Sequence, residues 1–220
     1  MSFQYAQDAP EGFTNAIKNV AIVGAGGQLG RNIAEVRQSG LTSVAMMNGF
    51  WYEYSLVSGA ETFGFDLDGR AVTMYDDGGN KAVNVSTWAH CARAVAALLS
   101  LKIVPEDEQD SSTTLSAFFN KTMLVSSFSV SQRDILSSVQ RVTGTTDADW
   151  SIRYQPSGER HKEGVAELEQ GIGQGFFKML YARIFYPSGD ADFDQGDNQK
   201  LGLPVEDLDE STRSALGLKK

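Results

Sequence analysis

The fold is decided near the start of the chain, by the stretch Val20-Ala21-Ile22-Val23-Gly24-Ala25-Gly26-Gly27-Gln28-Leu29-Gly30-Arg31-Asn32-Ile33. A short β-branched run meets a glycine-rich turn there, and the turn leads directly into a helical pattern. Glycine permits the sharp exit from the strand and lets backbone N–H groups approach a phosphate without a Cβ in the way. The first turn of the helix adds unpaired N–H groups and a partial positive charge. The pattern predicts a dinucleotide-binding turn, and the alternative is a tight turn without a ligand.

The predicted cofactor-binding residues all lie in this turn: Gly24, Ala25, Gly26, Gly27, Gln28, Leu29 and Gly30. The glycines are expected to hold a pyrophosphate, while Gln28 and Leu29 offer backbone N–H groups. Arg31 follows in the first turn of the helix, where it either contacts a phosphate or lies exposed. The second strand carries no visible signature for the ribose or its phosphate. These residues therefore leave the choice between NAD and NADP open.

Composition and charge disfavour several classes of function. The 220 residues carry a formal net charge of −9, so no basic surface is expected for a nucleic acid. Acidic residues cluster at 190–197 and 206–210, and we interpret both clusters as solvated surface. One cysteine, Cys91, and two histidines provide neither an internal disulfide nor a structural zinc site. Residues 1–13 do not form a signal peptide and no run is long enough to span a membrane, so a cytoplasmic protein is predicted.

Strand and helix patterns alternate along the chain, which predicts an α/β fold with a mainly parallel sheet. A second buried strand is predicted at 43–47. Residues 48–54 are predicted to form an aromatic loop at its carboxyl end, where open α/β sheets bind ligands. Strands at 71–75 and 82–85 flank a loop that contains glycine, so they are expected to pair as a hairpin.

Four helices and two further strands complete the pattern. One helix begins near residue 86 and is expected to bury one stripe of side chains: Trp88, Cys91, Val95, Leu98 and Leu99. The next is expected to begin after Ser131, with Asp134 completing a capping box, and to end at Gly144. The remaining elements are helices at 159–170 and 176–185 and strands at 122–126 and 152–154.

The motifs resemble those of the NmrA-like and isoflavone-reductase-like branch of the atypical short-chain dehydrogenase/reductases. The resemblance rests on the Gly24–Gly30 turn and on residues 41–56, with their run Asn48-Gly49-Phe50-Trp51-Tyr52-Glu53-Tyr54-Ser55-Leu56. It continues through residues 86–101, 121–144 and 176–189. It implies an NAD(P)-binding, Rossmann-like parallel sheet with a helical C-terminal extension. It also implies an NAD(P)H-dependent oxidoreductase, with NADP favoured, that acts on a small apolar or aromatic substrate.

The chain departs from this family in one stretch. Family members carry further βα units between the first helix and Leu41, on the order of 80 residues. The resemblance therefore implies an NAD(P)-binding domain at 17–144 that is shortened near 35/36, and a substrate-side extension with an acidic tail at 145–220. The missing stretch would include the end of the second strand and a lysine that many family reductases use as general acid/base. Catalytic competence is therefore in doubt, and the alternative is a non-catalytic regulator that senses the nucleotide and binds a protein partner.

The aromatic run supplies the predicted substrate-pocket residues: Asn48, Phe50, Trp51, Tyr52 and Tyr54. Core packing is their alternative role. Glu53 lies beyond the strand end where a ribose-binding acid belongs, so we interpret it as a loop, pocket or surface carboxylate. No metal-binding residue is predicted.

No catalytic residue is assigned from the sequence. The tyrosine of a short-chain dehydrogenase needs a lysine four residues later to lower its pKa, and none of the seven tyrosines has one. His90 and Cys91 are neighbours on a helix, so their side chains diverge by about 100° and cannot act as base and nucleophile. The shortened sheet is expected to leave an apolar helix face and a sheet edge open, which favours a homodimer.

Overall fold

The computed structural model describes residues 42–189, 191–193 and 195–218. The predicted strand at 20–23, the Gly24–Gly30 turn and the helix after it lie outside these residues, so they stay predictions. The described residues form two compact bodies, and each is described by itself. The predicted division into 17–144 and 145–220 also stays a prediction.

Within the described residues, the strands are β1 (Ala45–Met47), β2 (Phe50–Trp51), β3 (Phe65–Asp66), β4 (Ala71–Tyr75), β5 (Val83–Ser86), β6 (Thr122–Leu124), β7 (Phe128–Val130) and β8 (Ser151–Gln155). The α-helices there are α1 (Tyr52–Val57), α2 (Trp88–Leu99), α3 (Gln132–Thr143), α4 (Ser157–Glu169), α5 (Gln174–Ile184), α6 (Gly196–Lys200) and α7 (Leu208–Leu218).

The first body contains residues 42–47, 89–125 and 195–204. Strands β1 and β6 run parallel in it, with Ala45 opposite Thr122. Its buried core consists of side chains from α2, from β6 and from the loops around them: Ala94, Leu98, Phe118, Met123, Val125 and Leu201.

The second body contains the remaining described residues and two three-stranded sheets. In one sheet β5 pairs with β2 in parallel and with β7 in antiparallel orientation. In the other, β4 pairs with β3 in antiparallel and with β8 in parallel orientation. Large aromatic side chains dominate the core: Tyr52, Phe63, Phe65, Tyr75, Trp150, Tyr181 and Phe185. The predicted α/β class with parallel strands is therefore confirmed.

Helix α3 has the predicted ends. The Ser131 side chain accepts a hydrogen bond from the Asp134 N–H at 3.1 Å, and the Asp134 carboxylate accepts from the Ser131 N–H at 2.9 Å. Gly144 ends the helix with a φ of 67°, a left-handed conformation that favours glycine. The helix buries Ile135 and Val139, as its apolar spacing predicts. The other helices and strands predicted among the described residues are present. Strand β4 has the predicted ends and the ends of the others are shifted, whereas β1, predicted to be buried, is half-buried and ends at the exposed Met47.

The predicted hairpin of β4 and β5 is wrong. The two strands belong to different sheets, and β8 rather than β5 lies beside β4. The segment between β4 and β5 is a turn in which Gly78 and Gly79 adopt left-handed φ values of 84° and 80°. The Asp76 N–H then donates to the Gln155 carbonyl at the end of β8.

The predicted buried stripe of α2 is wrong in part. Leu98 is buried as predicted, but the other buried residues are His90 and Ala94. Trp88 is exposed, and the remaining predicted residues, Cys91, Val95 and Leu99, are half-buried. The apolar residues of this helix are distributed over all of its faces, so the apolar pattern alone does not identify the buried face. Burial of His90 is compensated by a hydrogen bond of 3.2 Å between its Nε2 and Asn198 Oδ1.

The predicted aromatic loop at 48–54 is a short strand followed by a helix, β2 and α1. Gly49 makes this possible, with a φ of 66°. A Cβ at this position would lie 2.0 Å from the carbonyl oxygen of Asn84 in β5. Only glycine therefore lets the start of β2 approach β5 so closely.

Among the helices of the described residues, none combines the length and the apolarity that crossing a lipid bilayer requires.

Candidate functional site

The carboxyl ends of β2 and β5 meet at one edge of their sheet, within the second body. The strands run parallel, with Phe50 opposite Val85 and Trp51 opposite Ser86. Helix α1 begins directly after β2, and α2 begins two residues after Ser86. Open α/β sheets bind their ligands beyond the carboxyl ends of such strands. This edge is therefore the candidate site among the described residues.

The Glu53 carboxylate lies at this edge, at the start of α2. Both of its carboxylate oxygens accept from the Trp88 backbone N–H, at 3.1 and 3.2 Å, and its side chain is buried. The carboxylate thus caps the positive end of α2 from a separate helix. Burial raises the pKa of the Glu53 carboxyl above its ordinary value, and the nearby charge of Glu206 adds to the rise.

A second carboxylate reaches the same helix start. The Thr87 hydroxyl donates to both carboxylate oxygens of Glu206, at 2.9 and 3.1 Å. The Thr87 backbone N–H donates to Ser127 Oγ at 3.0 Å. The interpretation of residues 206–210 as plain solvated surface is therefore wrong for Glu206, which is half-buried and anchors the C-terminal segment to this edge.

Three aromatic side chains stay exposed around the edge. The exposed fractions are 47% for Trp51, 38% for Tyr54 and 45% for Trp88. Trp51 ends β2, Tyr54 lies in the first turn of α1, and Trp88 is the first residue of α2. We call these three residues the aromatic edge. Large aromatic side chains left exposed at a strand edge favour a binding surface over core packing.

Tyr52 lies away from the aromatic edge, although it was predicted with the pocket. It is fully buried, and its Oη lies 2.6 Å from Thr212 Oγ1 in α7. Thr212 Oγ1 lies 2.7 Å from Ser138 Oγ, and Ser138 donates to Asp209 at 2.7 Å. Burial raises the pKa of Tyr52 well above its ordinary value. The hydroxyl therefore joins three helices instead of facing a substrate.

The other two predicted pocket residues occupy intermediate positions. Phe50 is half-buried, and its ring packs edge-on against Tyr181 with centroids 4.8 Å apart. The carbonyl oxygen of Asn48 accepts from Ser86 Oγ at 2.7 Å. Asn48 and Phe50 therefore contact residues of the protein interior beside the edge, whereas Trp51 and Tyr54 are exposed on it.

Sequence reasoning did not identify the roles of two residues of this site. Trp88 was assigned to the core because of its apolar character, and Glu53 was interpreted as a loop, pocket or surface carboxylate without its capping role. A threonine before a helical pattern marked the helix start, but the capping carboxylate comes from 35 residues earlier in the chain. No local pattern announces such a distant cap.

The edge fits an aromatic ring better than a phosphate. Its polar groups include the carboxylates of Glu53 and Glu206, which repel an anion. The predicted phosphate-binding turn, Gly24–Gly30, lies outside the described residues.

Comparison with known proteins finds a curated oxidoreductase of low sequence identity. No family model matches the chain. The oxidoreductase aprR of Aspergillus flavus is 24% identical over 186 residues, which cover 82% of this chain and 55% of that protein. The chain thus spans about half the length of the curated relative it matches.

Several reductases of known structure share the fold. The NADPH-dependent quinone oxidoreductase QOR2 of Escherichia coli, solved with NADPH, superposes with a TM-score of 0.53 at 16% identity, over 83% of this chain and 56% of its own. The triphenylmethane reductase of Citrobacter sp., solved with NADP(H), gives 0.50 at 20% identity with the same coverage. A structure from the pinoresinol-lariciresinol and phenylcoumaran benzylic ether reductases gives 0.56 at 15% identity, over 84% and 56%.

The resemblance to isoflavone-reductase-like proteins is confirmed by these comparisons at the level of the fold. The chain has the Rossmann-like α/β architecture of NAD(P)-binding reductases, over most of its own length and about half of theirs.

Proposed function

We propose that this chain is an NAD(P)-binding protein of the reductase type, with NADP favoured, that takes a small aromatic ligand at the aromatic edge. The observation that carries the proposal is its fold, shared with two reductases whose structures contain NADPH or NADP(H). The Gly24–Gly30 turn supports it from the sequence, since that pattern between a strand and a helix suits a pyrophosphate. When bound, the nicotinamide would supply a hydride.

The chain's own residues divide the work of binding between two regions. Backbone N–H groups of the Gly24–Gly30 turn would hold the pyrophosphate. Trp51 and Trp88 offer ring faces on which a planar ligand stacks, and their exposure leaves those faces open. An apolar quinone or aromatic carbonyl compound matches this surface, and the quinone oxidoreductase among the structural neighbours is in keeping with it.

The described residues offer no well-placed proton donor to a substrate, so we propose that turnover is slow. Tyr52 is buried and committed to Thr212, which removes it as a donor to substrate. Tyr54 is exposed at the edge, but no lysine follows it at the spacing that would lower its pKa. Tyr54 is therefore the one described tyrosine of the aromatic run that retains this role.

A paired binding and turnover experiment tests the proposal. Titration with quinones and aromatic aldehydes, followed by calorimetry, is expected to show binding that weakens at least about fivefold in Trp88→Ala, because a stacking platform contributes about 1–3 kcal/mol. Oxidation of NADPH with the same compounds is expected to be slow.

The control is Tyr154→Ala, which removes an exposed aromatic side chain from β8. This variant should bind like the parent chain. Equal losses in both variants would contradict a site at the aromatic edge. Rapid turnover that disappears in Tyr54→Phe would contradict weak catalysis and identify Tyr54 as the donor.

A further inference from the structure

A second parallel strand pair ends in an unusual group of buried polar atoms. Strands β4 and β8 run parallel, and Tyr75 lies opposite Gln155 at their carboxyl ends. Helix α4 begins two residues after Gln155, and the Ser157 N–H donates to Asp76 Oδ1 at 3.1 Å. This edge belongs to the second body, and the aromatic edge does not include any of its residues.

The Tyr75 hydroxyl at this edge is buried beside the Arg160 side chain, and its proton has no acceptor there. The side chain is 1% exposed, and no described residue accepts a hydrogen bond from Oη. The Phe185 ring lies against it, with centroids 5.4 Å apart. Burial raises the pKa of Tyr75 to about 12, although the charge and the hydrogen bond of the adjacent Arg160 act in the opposite direction, so the hydroxyl keeps its proton at neutral pH and remains a donor. An unpaired buried hydroxyl costs free energy unless an acceptor reaches it.

The Arg160 guanidinium lies beside this hydroxyl, and it too is incompletely satisfied. Its Cζ is 5.5 Å from the centre of the Tyr75 ring, and the residue is 7% exposed. Nη2 donates to the Ala60 carbonyl and Nη1 to Gln155 Oε1, both neutral oxygens. Nε has no partner within the described ranges.

The charge of Arg160 also lacks a close counter-ion. No carboxylate of the described residues lies within 4.0 Å of its nitrogen atoms. Glu61 and Glu163 act on the Tyr75 hydroxyl only through space. Asp76 is engaged with the start of α4. Buried charges in proteins are normally paired, so an unpaired guanidinium at this depth indicates a missing anionic partner.

We propose that Tyr75 Oη and Arg160 Nε bind an oxygen of a small oxyanion of the carboxylate class at the carboxyl end of β4 and β8. The Tyr75 hydroxyl and the Arg160 Nε–H then donate to the same carboxylate oxygen, and both hydrogen bonds are charge-assisted. The ligand neutralises the guanidinium and satisfies both orphaned atoms at once. The site is separate from the proposed nucleotide and aromatic-ligand sites, so it stands or falls independently of them.

Formate is the probe that tests this site. Thermal unfolding is compared in sodium formate and in sodium chloride at equal ionic strength. At ten times its Kd, formate should raise the Tm by about 3–6 °C over chloride for a domain of this size. The rise should disappear in Tyr75→Phe and in Arg160→Lys, because each removes one of the two donors.

Matched controls are Tyr154→Phe and Arg213→Lys, two exposed positions at which the formate effect should persist. Two results would overturn the proposal. A Tyr75→Phe variant as stable as the parent, with no formate effect in either, means that the hydroxyl is simply unpaired. Destabilisation of Tyr75→Phe by the same amount in both salts means that a buried water fills the site.

Nuclear magnetic resonance gives a reading that does not require the variants to fold. In the parent chain, the Arg160 Nε–H signal should shift and exchange more slowly as formate is added. An unchanged signal at saturating formate would contradict the site.

Discussion

Tyr52 and Tyr54 are two residues apart, yet the fold gives them opposite environments. Tyr52 is fully buried and bonded to Thr212, whereas Tyr54 is 38% exposed. Tyr52→Phe should lower the free energy of unfolding by about 1–3 kcal/mol, because it leaves the buried Thr212 and Ser138 hydroxyls with fewer partners. Tyr54→Phe should change it by less than about 0.5 kcal/mol. Urea denaturation measures both, and equal effects would contradict the assigned environments.

Asp209 gives this hydroxyl chain a pH dependence. Hydrogen bonds from Arg141, at 2.7 Å to each carboxylate oxygen, and from Ser138 lower its pKa from 3.8 to about 2. Between these values the unfolded chain binds the proton and the folded chain does not. The stabilisation is therefore complete above the unfolded pKa and is lost as the pH falls through the folded one.

Asp209→Asn tests this linkage. The free energy of unfolding of the parent chain should fall more steeply than that of the variant as the pH is lowered from about 4 to about 2. Glu159→Gln, at an exposed carboxylate of α4, serves as control and should keep the parent's slope. Parallel curves for parent and Asp209→Asn would exclude the ion pair as a source of acid sensitivity.

At the scale of single elements, helices α4 and α5 pack at glycines. A Cβ on Gly164 would lie 2.5 Å from the Met179 backbone nitrogen and 2.7 Å from the Gly175 carbonyl oxygen. Gly164→Ala should therefore force the helices apart and cost about 1–3 kcal/mol in unfolding free energy. Gly158→Ala is the matched control in the same helix, since nothing lies within 4 Å of its Cβ position. It should stabilise by about 0.5–1 kcal/mol, and similar effects in both would contradict this packing.

Elements with local signals could be predicted from the sequence. The capping box of α3 and its Gly144 end depend on residues three to twelve positions apart, so they are readable without a fold. The pairing of β4 could not be predicted, because its partner β8 is distant in the chain and two glycines with positive φ lie in the turn between β4 and β5. The buried face of α2 could not be predicted for a similar reason, since Asn198, the hydrogen-bond partner of His90, lies 108 residues later in the chain.

The candidate site was predictable in part. The aromatic run pointed to the edge where β2 and β5 end, and Trp51 and Tyr54 lie exposed there. The same run could not reveal that Tyr52 points into the core, because its partner Thr212 lies 160 residues later. Trp88 and the Glu53 cap likewise depend on tertiary contacts.

At the scale of the whole molecule, the chain matches about half the length of its relatives. We expect a shortened sheet to leave apolar surface and a strand edge open, and each unburied large aliphatic side chain forfeits about 1.5–3 kcal/mol. The chain should therefore self-associate, as a dimer or larger species, in light scattering. A monomer that melts above about 65 °C would show that the sheet is self-sufficient.

Binding of NADPH measured by calorimetry is the most direct test of the central claim, that this reductase-like fold holds a nicotinamide nucleotide. We predict weak, millimolar binding, because the family resemblance implies that this chain lacks the stretch that contacts the ribose. Gly27→Val should abolish it, since a side chain there blocks the approach of the pyrophosphate. Absence of binding to the parent chain, or binding that Gly27→Val leaves unchanged, would contradict the account.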